Sequence, residues 1–196
     1  MSEIKTYTSV KGLEDVKYFL VVDLEATCSD DNSIPDGQRE IIEIGATILA
    51  APSSLMKIDE FQSFVRPSRH PTLTGFCTNL TGIRQPQVDA AEIFPDVIER
   101  FRNWLGDRRD VLFCSWGVYD RIQLERDLAY HHMTLDVLKK HLNIRQYFID
   151  IMKLQYRPTL PEALSEIGLC FEGKLHRALV DVSNTIILLR HCLAKS

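Results

Sequence analysis

Apolar residues occur first in continuous or alternating runs and later at intervals of three and four, so the chain passes from strand-forming sequence into alternating strands and helices. Tyr18-Phe19-Leu20-Val21-Val22-Asp23-Leu24 is almost unbroken in β-forming residues, as expected of a central strand covered on both faces. A polar loop, Ser29 to Gln38, leads to a second such run over Glu40 to Ala50. Ile58 to Val65 alternates weakly and stops at Pro67. These three segments are close enough in sequence to form a meander. Phe94, Val97, Ile98, Phe101, Trp104 and Leu105 then recur with helical spacing, and Gly106 ends that helix. Val111 to Ser115 reads as a short buried strand and Asp120 to His131 as the helix after it, an alternation that implies parallel pairing. Tyr147 to Tyr156 fits strand or helix. Thr159-Leu160-Pro161-Glu162 is a capping box for a short helix closed by Gly168. The last helix runs from Ala178 to about Leu193, with Val182, Thr185, Ile186, Leu189 and Leu193 on one stripe.

The 196 residues suit one domain. With 45% hydrophobic and 26% charged residues, disorder and fibrous repeats are excluded. No apolar run is long enough to cross a membrane. Residues Met1 to Lys17 carry no apolar core of a signal peptide, so 1–17 is expected to be an N-terminal extension, 18–196 the domain, and the location cytoplasmic. The five cysteines are scattered and never spaced as a metal-binding pair, which argues against a disulfide scaffold or a zinc site. Cys114 and Cys192, in apolar runs, read as buried reduced thiols. A net charge of −4, from 27 acids and 23 bases, excludes a pervasive positive field and leaves room for acids with a purpose beyond solubility.

Asp23 and Glu25 stand two apart at the end of the most apolar run, where the pleat of a strand directs both to one side. Such a pair beside apolar sequence repels and loses hydration unless a cation or proton sits between its members; the alternative is that Glu25 has left the strand for water. Asp120 follows the break Ser115-Trp116-Gly117 at a helix start, where aspartate is also an ordinary cap. In His176-Arg177-Ala178-Leu179-Val180-Asp181, His176 falls on the loop before the last helix. Asp181 falls on the apolar side of its first turns, an unusual place for a solvated carboxylate.

In this order the four acids and His176 resemble the DEDDh family of 3′→5′ exonucleases. Glu25-Ala26-Thr27-Cys28, Phe76-Cys77-Thr78-Asn79-Leu80-Thr81-Gly82-Ile83 and Ser115-Trp116-Gly117 resemble its exoribonuclease branch, which includes the histone-mRNA 3′-end exonuclease and bacterial KapD-like proteins. The resemblance spans about Tyr18 to Leu193. It implies an α/β, ribonuclease H-like fold: a five-stranded mixed sheet flanked by helices on both sides. It further implies a metal-dependent 3′→5′ exoribonuclease that releases nucleoside 5′-monophosphates from 3′ ends of single-stranded RNA, using two Mg²⁺ or Mn²⁺ ions. Carried over, Asp23 would bridge both ions, Glu25 and Asp181 would complete the first site, Asp120 would support the second, and His176 would be the general base. The terminal 3′-hydroxyl would be bound by Glu25 and backbone N–H groups around Ala26 and Thr27. Phe76 and Leu80 are candidates for stacking on the last bases or for core packing, Trp116 for stacking on a base or packing beneath Gly117, and Asn184 for orienting the site or contacting the product phosphate. Arg66, Arg69, Arg84, Arg108, Arg109, Lys139, Lys140 and Lys174 are the bases available to guide the strand.

Three other readings compete. A DNA exonuclease would use the same metal site. A catalytically silent binding module would not need all four acids and His176. A small-molecule α/β enzyme would need a glycine-rich phosphate loop, and this chain has none.

Overall fold

The computed structural model describes residues 5–13, 15–51 and 55–195. Its strands are β1 (Lys5–Tyr7), β2 (Tyr18–Ala26), β3 (Ile41–Ala50), β4 (Lys57–Phe64), β5 (Val111–Ser115) and β6 (Lys140–Asn143). Its helices are α1 (Gly75–Thr81), α2 (Gln85–Asp89), α3 (Phe94–Leu105), α4 (Tyr119–Tyr130), α5 (Ile144–Met152), α6 (Leu160–Glu166) and α7 (Ala178–Ala194). The strands form one sheet in the order β1-β6-β5-β2-β3-β4. The β2–β3–β4 meander is antiparallel, and β5, β6 and β1 join it in parallel.

Alternation along β2 sorts its side chains between two cores. Phe19 and Val21 lie under α5, α6 and α7, whereas Leu20, Val22 and Leu24 lie under α3 and α4. Helices therefore cover both faces, as the continuous apolar run requires. The same alternation carries Asp23 and Glu25 to the α7 face, so their direction is already set by the strand.

The sheet has six strands where five were expected. The fifth is Lys140–Asn143, not Tyr147–Tyr156, which falls in α5 and the coil after it. The sixth, Lys5–Tyr7, lies inside the stretch expected to be an extension; Met1 to Ile4 are outside the described residues. Both strands are too short to show a period, and β1 is an exposed edge with no buried face to imprint one. Cys28, Cys77, Cys114 and Cys192 are buried free thiols and Cys170 is an exposed one. Among the described residues no helix is long and apolar enough to cross a membrane.

Gly45 of β3 pairs with Asp23, and α7 rests directly on it: a Cβ there would lie 2.5 Å from the Ala178 carbonyl carbon. Because that neighbour is backbone, Gly45→Ala must push α7 off the sheet. We expect a loss of about 3 kcal/mol, at the upper end of overpacking costs, readable as a shifted urea midpoint. An unshifted midpoint would show that α7 slides freely over β3.

Candidate active site

Asp23 and Glu25 occupy the end of β2, and Glu25 remains within the strand, only 7% exposed and paired with Glu43 of β3. The register slips between Glu25 and Ala26, so the strand turns at its last acid. Asp120 sits in the first turn of α4, which begins after the Gly117 break. Its Oδ1 accepts the Leu24 N–H at 3.2 Å, which ties α4 to the end of β2. Asp181 lies in the first turn of α7, where Oδ2 accepts the Arg177 N–H at 2.9 Å. Oxygens of Asp23, Glu25 and Asp181 lie within 4.8 Å of one another. His176 stands on the loop before α7 in the left-handed region (φ 63°), its Nδ1 3.9 Å from Glu25 Oε1 and its side chain 41% exposed.

So many acids in so little water resist ionisation together. Burial, followed by the charges of Asp120 and Glu25, pushes the Asp23 carboxyl well above the usual carboxylate range. Burial and then Asp181 raise Glu25 to about 9. Burial raises Asp120 to about 7 and Asp181 to about 6, against the backbone N–H groups that favour their charged forms. Burial lowers His176, which keeps it neutral near pH 7. The donor set is all hard oxygen from carboxylates, which fits Mg²⁺ or Mn²⁺ and not a thiophilic ion.

Each raised acid binds its proton more tightly in the folded chain than in the unfolded one, so stability is lost as pH rises from the unfolded value through the folded one. The window opens near the ordinary carboxylate value of about 4 and closes at about 6 for Asp181 and about 9 for Glu25. One proton over one pH unit is about 1.36 kcal/mol, or roughly 3–5 °C in Tm for a chain of this size. Calorimetry across that window without divalent metal should show Tm falling, and millimolar Mn²⁺ should restore it most at the alkaline end. A Tm indifferent to both pH and metal would contradict the carboxylate cluster.

The acids border a cleft of about 470 Å³ whose walls include Ala26, Leu80, Trp116, Tyr119, Arg145 and Pro161. Leu80 and Ala26 thus line the same cleft as the acids. Trp116 lines the cleft and packs on Phe148 with ring centroids 6.1 Å apart. Phe76 is exposed one turn before Leu80 and is not part of the lining.

Two assignments are corrected. Thr27 is fully buried and its N–H is donated to Glu40 O at 2.8 Å while its Oγ1 accepts the Glu40 N–H at 2.9 Å, so that backbone N–H is not free for a 3′-hydroxyl. Asn184 spends its amide on Glu172 and Val180 backbone and lies outside the cleft, so it is no phosphate contact; it holds the loop that leads to His176. Nor do the named bases line the cleft. Arg69 binds Asp127 at 2.7 Å, Arg108 caps the carbonyls of Trp104 and Leu105, and Lys139 pairs with Asp136.

Glu43 was missed by sequence reasoning. Fully buried, it accepts from Arg177 Nε and Nη2 at 3.1 Å each, from the Ala178 N–H at 3.2 Å and from Gln62 Nε2 at 2.6 Å. It thereby anchors the start of α7, and so Asp181, to β3. Its signal was a single charge inside the apolar run Ile41 to Ala50.

A mixed sheet whose central strand ends in paired acids, answered by one acid from the helices on each face, defines a protein of the ribonuclease H-like fold class. The chain belongs to the RNase_T exonuclease family, whose model matches residues 20–189, and to its DEDDh group. It is 33% identical to human 3′-5′ exoribonuclease 1 over 180 residues, which is 85% of this chain and 50% of the relative. It is 32% identical to the 3′-5′ exonuclease eri1 of Schizosaccharomyces pombe over 208 residues (92% and 69%). Zebrafish (Danio rerio) ERI1 exoribonuclease 2 is 35% identical over 191 residues (87% and 34%). The chain therefore spans between 34% and 69% of the length of these relatives. Among solved structures, the nuclease domain of 3′hExo bound to rAMP superposes with a TM-score of 0.82 at 29% identity, covering 91% of this chain and 92% of that one.

Proposed function

We propose that this chain is a divalent-metal-dependent 3′→5′ exoribonuclease that releases nucleoside 5′-monophosphates from single-stranded RNA. The observation that carries the proposal is the convergence of Asp23, Glu25, Asp120, Asp181 and His176 on the lining of one cleft. The RNA substrate is supported by relatives named exoribonucleases and by the 3′hExo complexes with rAMP and with a histone mRNA stem-loop. Buried free thiols support a reducing, cytoplasmic setting.

In this reading Asp23, Glu25, Asp120 and Asp181 would hold the divalent ions, Mg²⁺ or Mn²⁺. When bound, such ions supply Lewis-acid stabilisation of the charge that develops on the phosphoryl group. The chain's own residues do the rest. His176, neutral at working pH and partly exposed at the cleft, accepts the proton of the attacking water at an imidazole nitrogen. Glu25 and the backbone beside Ala26 receive the terminal 3′-hydroxyl, which gives the polarity of degradation. Leu80 offers an apolar surface to the last base, a contact that tolerates any sequence.

The test is degradation of 5′-labelled single-stranded RNA and matched DNA, with chromatography of the products. We expect a ladder shortening from the 3′ end, nucleoside 5′-monophosphates, faster loss of RNA, and no loss in chelator. Faster loss of DNA would overturn the substrate, and internal cuts or 3′-monophosphates would overturn the mechanism.

A further inference from the structure

We infer that Arg145 clamps the phosphodiester immediately 5′ of the one being cleaved, and so sets the path of the strand into the cleft. The inference rests on the exonuclease reading above and adds to it a residue that neither the acids nor the base cradle accounts for.

Arg145 lies in the first turn of α5 and lines the cleft together with Leu80, Trp116 and Asp120. Its guanidinium rests on Gly117, which adopts φ 101°. A Cβ there would lie 3.1 Å from Arg145 Nη2 and 3.3 Å from Cζ. The glycine that breaks the chain after β5 therefore also makes room for this side chain. Every other arginine that is at least partly buried among the described residues is committed. Arg39 pairs with Asp36, Arg69 with Asp127, Arg102 with Glu99, Arg121 with Glu125 and Arg177 with Glu43, and Arg108 caps α3. Arg145 is partly buried and makes no hydrogen bond or ion pair among the described residues. A desolvated guanidinium with idle N–H groups is costly unless an anion completes it, and its planar fork matches two phosphate oxygens.

Its position selects which phosphate. Arg145 feels the charge of Asp120 without forming an ion pair with it, so it stands beside the reacting centre and not on it. Arg157, exposed and also without a hydrogen bond or ion pair among the described residues, is close enough to repel it electrostatically. A strand whose last base rests near Leu80 and whose scissile phosphate meets the acids would run outward over Arg145 and then Arg157.

The experiment uses single-stranded RNA carrying one 2′-deoxy methylphosphonate linkage immediately 5′ of the scissile one, with a 2′-deoxy phosphodiester as control. In the wild type, removing that single charge should cut kcat/KM about 10- to 100-fold, as expected for a charge-assisted pair. In Arg145→Gln the control should already be slowed by that factor, mostly through KM, and the neutral linkage should cost nothing more. Arg145→Lys should recover part of the loss, because it restores the charge without the fork. Anisotropy measurements of strand binding without metal should follow the same pattern. A full further loss on the neutral linkage in Arg145→Gln, in either arm, would overturn the inference. If the wild type degrades nothing, the exonuclease reading fails, and the binding arm still judges Arg145.

Discussion

Asp23→Asn is expected to lower RNA hydrolysis by about 10³-fold or more at saturating Mg²⁺ while raising Tm in the absence of metal. The rate effect follows from the several kcal/mol of charge stabilisation that a divalent ion supplies, each 1.36 kcal/mol being a factor of ten. The stability effect has the opposite sign, because in the metal-free chain Asp23 faces Asp120, Glu25, Asp181 and Glu43 and its ionisation is opposed by all of them. An amide of the same shape removes that repulsion. Asp120→Ala should match it in rate and differ in stability. Oδ1 of Asp120 accepts the Leu24 N–H, and losing it leaves a buried donor unpaired at about 1–3 kcal/mol. Product release and calorimetry on the two variants separate these contributions. Wild-type turnover by Asp23→Asn would remove Asp23 from the metal ligands, and a lowered Tm would make it a structural residue.

His176→Asn is expected to slow hydrolysis by about 10²- to 10⁴-fold, the usual share of a general base. Asparagine is the informative substitution, since it tolerates the left-handed backbone that His176 adopts and so removes the base without straining the loop. The sign of the pH dependence is fixed by chemistry. A base must be unprotonated to act, so the rate rises with pH through its pKa. Burial holds the His176 pKa below its ordinary value, so the acid limb in the wild type should fall below about 6.5. In the variant that limb should vanish. A pH–rate profile unchanged by the substitution would assign the proton to another group.

Much of this site was legible without coordinates, and the parts that were share a property. Asp23 and Glu25 could be paired because a strand's pleat alternates every second residue. His176 could be put on a loop because helical spacing would have carried it away from Asp181. The capping box at Thr159 and the helix Phe94–Leu105 are likewise statements about neighbours in sequence, and both are found as read. Thr27 as a donor to the 3′-hydroxyl and Asn184 as a phosphate contact were misassigned because proximity to a motif says nothing about where a residue's hydrogen bonds go. Both are spent on the backbone of other segments.

By itself, then, the order of residues determined the strands and helices with a buried face, the side to which the strand acids point, and the chemistry that four carboxylates and a histidine can perform. Tertiary structure alone decided that Glu43 braces α7, that Gly45 and Gly117 are spaces for Ala178 and Arg145, and that an edge strand joins from Lys5 to Tyr7. The physical reason is range. Backbone periodicity acts over a few residues and leaves its mark on local sequence. Burial, desolvation and the pairing of charges depend on groups brought together from as far apart as Glu43 and Arg177, and no local pattern records which of them will meet.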